Sequence, residues 1–596
     1  MQRFQENKEL KIGRILEVNG TSITVELDIA LKELSKIING KVYYLGQIGS
    51  IIKIHYGRKI LFAYVRMLRM KPIIEIEGNQ SIPNNNDVRI LEADLFAQGV
   101  WSNNQLEYSR GVEIYPLPLQ NVYITLEDEL ENLYLGAEAA HENNLIEIGY
   151  YTGSNGAKCR ANIDKMFGQH CAILGSTGSG KSGTVASIIH AINDTTLKPR
   201  IILIDPHNEY GQSFKNCATV YRAYTDTSST ASEKLTLPYW LMSGDELRGL
   251  IIGKTEAEAT TQNNIVYKAL KHARMVTAGL IKSLPEDPTG ELEPELMGTT
   301  SDDDIRNFDR DKPIKFDLSE FIKHIDKVQG RKKGKTEPQS ASERKSIDSI
   351  LDKLNVLMHD PRLEFLMSSG TMELPQIIFQ LTGDKNHSVE SDAEGDKPKK
   401  YLKIIDISGL PNEVAGPLTA LIARLLFNYK IWQSREEREL DPILLVCEEA
   451  HRYVPNHGEA QYKEAQDAIK RIAKEGRKYG IGLMLVSQRP SDVESTVLSQ
   501  CNTWVILRLT NSNDQEHVKK FLPDNLNGLT KILPSLQRSE AIFIGEAAAI
   551  PSKIKIKQLS DDKLPNSQDI KFTLGWKEDP IDEVKIQGIA ERWIMA

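Results

Sequence analysis

The chain has 596 residues, 26% of them charged and 40% hydrophobic or aromatic, and a formal net charge of -8. That length exceeds what one hydrophobic core sustains, so two to four structural units are expected, and the composition is that of a folded globular protein rather than a disordered or fibrous one. No apolar run approaches the ~18 to 20 residues of a membrane span, and the opening "MQRFQENKEL" lacks the basic-then-apolar layout of a secretory leader, so a cytoplasmic protein is expected.

Residues 1–71 carry 13 Lys or Arg against 6 Asp or Glu, a local excess of +7 in an acidic chain. They read as short strands: "ITVEL" alternates, "KVYYL" and "KILFAYV" are β-branched and aromatic, and Gly-containing turns separate them. A small barrel or sandwich over residues 1–125 is the expectation. From Gln169 the pattern changes to nearly continuous apolar runs: "HCAIL", "RIILID", "YLKIIDI", "PILLVC", "IGLMLVS" and "TWVILRL". Such runs suit parallel strands covered by helices on both faces. They predict an α/β core in two parts, 126–240 and 401–557. Between the parts, residues 241–400 show helical segments and two loop-like stretches, "VQGRKKGKTEPQSAS" and "TGDKNHSVESDAEGDKPKK". In the first stretch Arg331, Lys332, Lys333 and Lys335 suit either a solvated loop or phosphate contacts. "SEAIFIGEAAAIPSKIKIKQL" predicts a terminal hairpin, and the tail 558–596 is polar up to a last apolar turn with Trp593, Ile594 and Met595.

Five cysteines without a C-x-x-C pair read as free thiols of a reducing compartment. The net negative charge excludes nucleic-acid binding driven by the whole surface and leaves room for a local basic lining.

"GSTGSGKSGT" fits the phosphate-loop pattern G-x-x-x-x-G-K-[ST] and lies between the strand "HCAIL" and a helix. Gly175, Gly178 and Gly180 let the backbone of Gly175, Ser176, Thr177, Gly178, Ser179, Gly180, Lys181, Ser182 and Gly183 turn its N–H groups toward phosphate oxygens, with the helix dipole behind them. Lys181 is the expected partner of the β- and γ-phosphates of ATP, and Ser182 a ligand of Mg²⁺. A second strand ending in acids is needed to hold the metal and activate water, and "PILLVCEEAH" supplies it. Glu448 is assigned to the metal and Glu449 to the general base. "IDPHNEY" brings Asp205 and Glu209 to the same sheet edge, either as supports of that site or as loop caps. "IGLMLVSQRP" ends in Ser487 and Gln488, with Gln488 the expected water-orienting or γ-phosphate-sensing group. In "RIAKEGRKYG", Arg471, Lys474 and Lys478 share a helical face. Arg471 or Arg477 is a candidate arginine finger for a neighbouring γ-phosphate.

In this order, "GSTGSGKS", "IDPHNEY", "EEAHRYVP" and "EGRKYGIGLMLVSQRPSDVESTVLSQCNT" resemble the HerA family of hexameric DNA translocases, related to FtsK-type motors. "IGRILEVNGTSITVEL" with "YYLGQIGSIIKI" looks like that family's barrel. The resemblance implies a RecA-like P-loop ATPase core with a helical insertion behind an N-terminal β-barrel. It also implies a homohexameric ring around double-stranded DNA and ATP hydrolysis between subunits. The implied partner is a NurA-like nuclease or, as in bacterial antiphage relatives, a sirtuin-like or nuclease effector. Many P-loop enzymes place Asp where this chain has Glu448, which leaves direct and water-mediated Mg²⁺ contact both open. One phosphate loop and one core in the chain independently favour an oligomer over a tandem-core helicase.

Overall fold

A computed structural model describes residues 8–28, 35–38, 40–44, 46, 48–71, 74–77, 80–83, 88–102, 105–139, 144–152, 156–223, 232–253, 260–383, 400–456, 463–523, 526–567, 570, 572–577 and 581–595. The chain forms two compact units. One comprises Met1–Thr196, Val486–Ser491 and Leu498–Asp561, and the other Leu197–Leu485, Asp492–Val497 and Asp562–Ala596.

The first unit begins with the barrel. Strands Lys11–Asn19, Ser22–Leu27, Ile51–Tyr56, Lys59–Lys71, Val88–Ser102 and Asn121–Ile124 close into a ring, because Lys59–Lys71 pairs with both Ile51–Tyr56 and Val88–Ser102. The alternation read in "ITVEL" is the reason: Ile23, Val25 and Leu27 point inward with Ile12, Ile15, Ile54, Leu61, Val65 and Leu91. Closure removes the exposed edges that an open sheet of this size would present. Gly13 permits the tight approach of the first two strands, since a Cβ there would lie 2.1 Å from the Glu26 carbonyl oxygen. "KVYYL" is not part of the barrel. Lys41–Tyr44 pairs with Ser35–Ile38 as a separate hairpin, which lays Ile38 and Tyr43 against the barrel core and leaves Ile37, Val42 and Tyr44 exposed.

The basic excess of the first 71 residues is met by acids further along: over residues 1–125 the chain has 15 Lys or Arg against 13 Asp or Glu. Lys53 pairs with Glu129, Lys59 with Glu113, and Arg66 and Arg69 both reach Glu92, at 2.9 and 3.1 Å.

Beyond the barrel, the first unit orders its strands Lys158–Asn162, Leu145–Tyr151, Ser552–Ile556, Glu540–Gly545, Thr503–Ile506 and Cys171–Leu174. All neighbours here are antiparallel except the last pair, which is parallel. The predicted terminal hairpin is Glu540–Gly545 with Ser552–Ile556.

The second unit holds Ile443–Cys447, Arg200–Asp205, Leu402–Asp406 and Ala218–Arg222 as neighbouring parallel strands, with residues 481–485 flanking Ile443–Cys447. Every residue of Ile443–Cys447 and Leu402–Asp406 is buried, the condition that makes a strand read as a continuous apolar run. Between Lys234 and Leu402 the described residues are helical or irregular, with helices Gly244–Ile252, Thr260–Thr277 and Ala341–His359 among them. Arg274, fully buried, ties this region together by donating to the carbonyls of Trp240 at 2.9 Å, Met242 at 2.7 Å and Arg310. The basic run at 331–335 is engaged in ion pairs: Arg331 with Asp287 at 2.6 Å, Lys332 with Glu337 at 3.3 Å and Lys333 with Glu291 at 3.1 Å. Of the second loop-like stretch, residues 384–399 lie outside the described residues, as do the side chains of Trp593, Ile594 and Met595. The tail ends in the helix Glu583–Met595 rather than in a single apolar turn. All five cysteines are free, and among the described residues no helix is long and apolar enough to cross a membrane.

Candidate functional site

In the first unit, the buried strand Cys171–Leu174 runs into the loop at Gly175 and the helix Lys181–Asn193 follows. Three hydrogen bonds fix the loop's path: Gly175 N donates to the Ser487 carbonyl at 3.2 Å, Ser176 N to the Arg508 carbonyl at 2.8 Å, and Ser539 N to the Ser179 carbonyl at 3.0 Å. Gly178 and Gly180 sit at φ 74° and 103°, backbone that L side chains rarely adopt. A Cβ on Gly175 would meet Ser179 Oγ at 2.6 Å and Leu507 Cβ at 2.8 Å. Glycine is therefore required twice over, for conformation and for space.

The loop presents donors. Gly180 is the N-cap and has no side chain to offer the first turn of the helix an acceptor. Ser179 Oγ is fully buried with no hydrogen-bond partner among the described residues. Lys181, itself buried, arches back to the Ser176 carbonyl at 3.4 Å. Buried donors around a glycine cradle fit a phosphate chain, which accepts from N–H, hydroxyl and ammonium groups together. Gln488 joins this set: its Oε1 accepts from Thr177 Oγ1 at 2.7 Å. Ser487 is spent on the turn, with its Oγ accepting from Arg489 N at 3.1 Å. Ser182 and Gly183 occupy the first helical turn and are half-buried.

In the second unit, Glu448 and Glu449 follow the strand Ile443–Cys447 directly and are 3% and 7% exposed. Two adjacent buried carboxylates are costly unless held by donors. Glu448 Oε2 accepts from the Tyr210 hydroxyl at 3.0 Å. Glu449 adopts φ 52°, a left-handed conformation unusual for a non-glycine residue, and its Oε2 lies 3.2 Å from His451 Nδ1. Asp205 spends both carboxylate oxygens on its own loop, accepting from His207 N at 3.2 Å and Tyr210 N at 3.0 Å. Burial pushes its carboxyl up to about 6, against the lowering effect of those backbone donors. Glu209 Oε2 is buried without a hydrogen-bond partner among the described residues. Arg471 and Arg477 are both exposed on the helix Lys463–Tyr479. Arg471 lies over the Phe427 ring at 4.6 Å and 4.0 Å from Glu475.

Tyr210 is the residue that sequence reasoning passed over. It stood inside the quoted "IDPHNEY", but nothing local in the sequence signals a bond to Glu448 across a separation of 238 residues. Ser539, at φ 64° beside Gly180, was likewise invisible. For a metal, no group of three or more His, Cys, Asp or Glu among the described residues forms a ready cage. Mg²⁺ is a hard ion that keeps several waters and takes one or two protein oxygens plus phosphate, and the Ser182 hydroxyl and the Glu448 carboxylate are donors of that type.

Residues 146–426 match the family model described as "Helicase HerA, central domain". The match includes the phosphate loop and "IDPHNEY" and stops before the acidic pair. A probable helicase of Methanocaldococcus jannaschii is 26% identical over 80% of this chain and 81% of its own length. A second probable helicase of that organism is 24% identical over 94% of each chain. The DNA double-strand break repair helicase HerA of Pyrococcus furiosus is 23% identical over 80% of this chain and 82% of its own.

Proposed function

The chain belongs to the HerA family, and from that premise we propose that it is an ATP-driven motor that translocates or unwinds double-stranded DNA. The observation that carries the proposal is the glycine cradle with its buried Ser179 Oγ, unpartnered among the described residues, and the inward-folded Lys181. In this reading Lys181 binds the β- and γ-phosphates, Ser182 and Glu448 hold Mg²⁺, Glu449 takes the proton of the attacking water, and Gln488 orients that water. Bound Mg²⁺ neutralises charge developing on the transferred phosphoryl group. Asp205 and Glu209 support the loop behind Glu448, and Arg471 or Arg477 serves a neighbouring subunit's nucleotide.

The assembly proposed is a homohexamer, because a ring supplies from the next copy the second surface that a single core lacks. The motor would work with a separately encoded NurA-like nuclease or another effector, in DNA end processing or antiphage defence. ATP turnover measured with and without duplex DNA tests the motor: stimulation that weakens steeply with salt is expected, and no stimulation by any duplex length or end structure removes it.

One observation favours a second reading, a ring acting mainly as scaffold and regulator of a sirtuin-like NADase or nuclease subunit. The barrel is nearly charge-balanced over residues 1–125 and displays Ile37, Val42 and Tyr44 on its hairpin, a surface better suited to protein than to DNA phosphates. Retention of an effector by a chain lacking residues 1–125 would sink that docking role.

A further inference from the structure

We infer that Tyr210 is a positioning residue for Glu448, holding one of its carboxylate oxygens and so ordering in advance the side chain to which the ATPase reading above, on which this inference rests, gives the Mg²⁺. The geometry is a relay of three groups within the second unit. Asp205 Oδ2 accepts from the backbone N–H of Tyr210 at 3.0 Å, which sets where that residue leaves the strand end. The Tyr210 ring is fully buried and stacks toward Phe214, with centroids 6.5 Å apart and planes 18° apart. Its hydroxyl then donates to Glu448 Oε2 at 3.0 Å.

A relay of this kind answers a problem posed by the sequence. Glutamate has one more rotatable bond than the aspartate common at this position, and a metal contact made by a loosely held carboxylate loses the entropy of ordering it. A donor fixed by burial removes that freedom in advance. The phenol is suited to the task, because its O–H is a donor held at the end of a rigid ring. Asp205, which the sequence offers as either a support or a loop cap, is thereby both.

Tyr453 provides an internal control. It is fully buried and feels the charges of Asp205 and Glu448, yet its hydroxyl has no hydrogen-bond partner among the described residues. The experiment measures affinity for a fluorescent ATP analogue in EDTA and in saturating Mg²⁺, for the full-length wild type, Tyr210→Phe, Tyr453→Phe, Glu448→Gln and the double variant Tyr210→Phe/Glu448→Gln. Melting curves run in parallel to verify folding. Tyr210→Phe is expected to leave the affinity in EDTA within twofold of wild type and to reduce the enhancement by Mg²⁺ about tenfold, ~1.4 kcal/mol. Tyr453→Phe is expected to leave that enhancement intact, and the double variant to lose no more than Glu448→Gln alone. An unchanged enhancement in Tyr210→Phe, an equal loss in Tyr453→Phe, or additive losses in the double variant overturn the inference while the ATPase reading stands. A wild type that binds no nucleotide in either condition overturns both.

Discussion

At the phosphate loop Gly180 sits at φ 103° and Ser179 Oγ is buried without a partner among the described residues, whereas at the acidic pair Glu448 already accepts from Tyr210 and Glu449 lies 3.2 Å from His451. The first region is made receptive to an anion by glycines in place of side chains and by a buried hydroxyl and ammonium beside them. The second is made tolerable by adding donors around charges that would otherwise be costly to bury. On the proposed reading the contrast separates their duties: the loop decides whether nucleotide binds, and the acids decide whether it is turned over.

The sharpest break in that comparison comes from one substitution in each region. Lys181→Ala should weaken nucleotide binding more than 100-fold, because it removes the ammonium from the cradle. Glu449→Gln should leave binding within a few-fold and reduce turnover by about 10³, because it removes the base and leaves the cradle intact. Equilibrium binding beside steady-state turnover checks both, and equal loss of binding in the two variants would dissolve the division of labour. A third participant is next. Arg471→Ala and Arg477→Ala subunits mixed with Glu449→Gln subunits should lose turnover non-additively for whichever arginine acts in trans, by roughly 10³ where an arginine finger operates. Arg471 has the Phe427 ring beneath it at 4.6 Å, so its removal should also lower the melting temperature slightly.

Gly180→Ala should have a smaller effect on nucleotide affinity, about tenfold, together with a loss of about 1 to 3 kcal/mol in stability. It forces an L side chain into a disfavoured backbone conformation, with its Cβ 3.1 Å from Ser539 Oγ. A calorimetric melt of the nucleotide-free protein separates the two effects. Asp205 gives the smallest and most distinctive signal. Its carboxyl is raised in the folded chain to about 6, so it favours the folded state when protonated. Stability from this group is fully present below the unfolded value near 3.9 and is lost as pH rises through about 6. Denaturation midpoints at pH 5 and pH 7.5 should differ less in Asp205→Asn than in wild type, and nothing comparable is expected from Ser179→Ala at the loop.

The sequence spoke most clearly where a residue's surroundings repeat a simple rule. "PILLVC" is apolar along its whole length, and "YLKIIDI" is broken only by the buried Lys403 and Asp406, because both faces of those strands are covered, and the phosphate loop could be read because glycine spacing encodes its conformation. The barrel showed through the alternation of "ITVEL", while "KVYYL" misled because a β-rich string does not reveal which sheet it joins. Ala218–Arg222 escaped notice because Thr219 and Arg222 interrupt its apolar face. Tyr210 and Ser539 escaped for a different reason: their roles come from contacts between distant parts of the chain, and no local pattern carries such information.

The central claim is that ATP turnover at these residues drives movement along duplex DNA. The direct measurement is displacement of a third strand from a triplex on a long duplex, which requires translocation and no strand separation. Wild type with ATP and Mg²⁺ should displace the third strand, and Glu449→Gln, still binding nucleotide and DNA, should not. Sustained DNA-stimulated ATP hydrolysis by wild type with the third strand left in place would contradict the account.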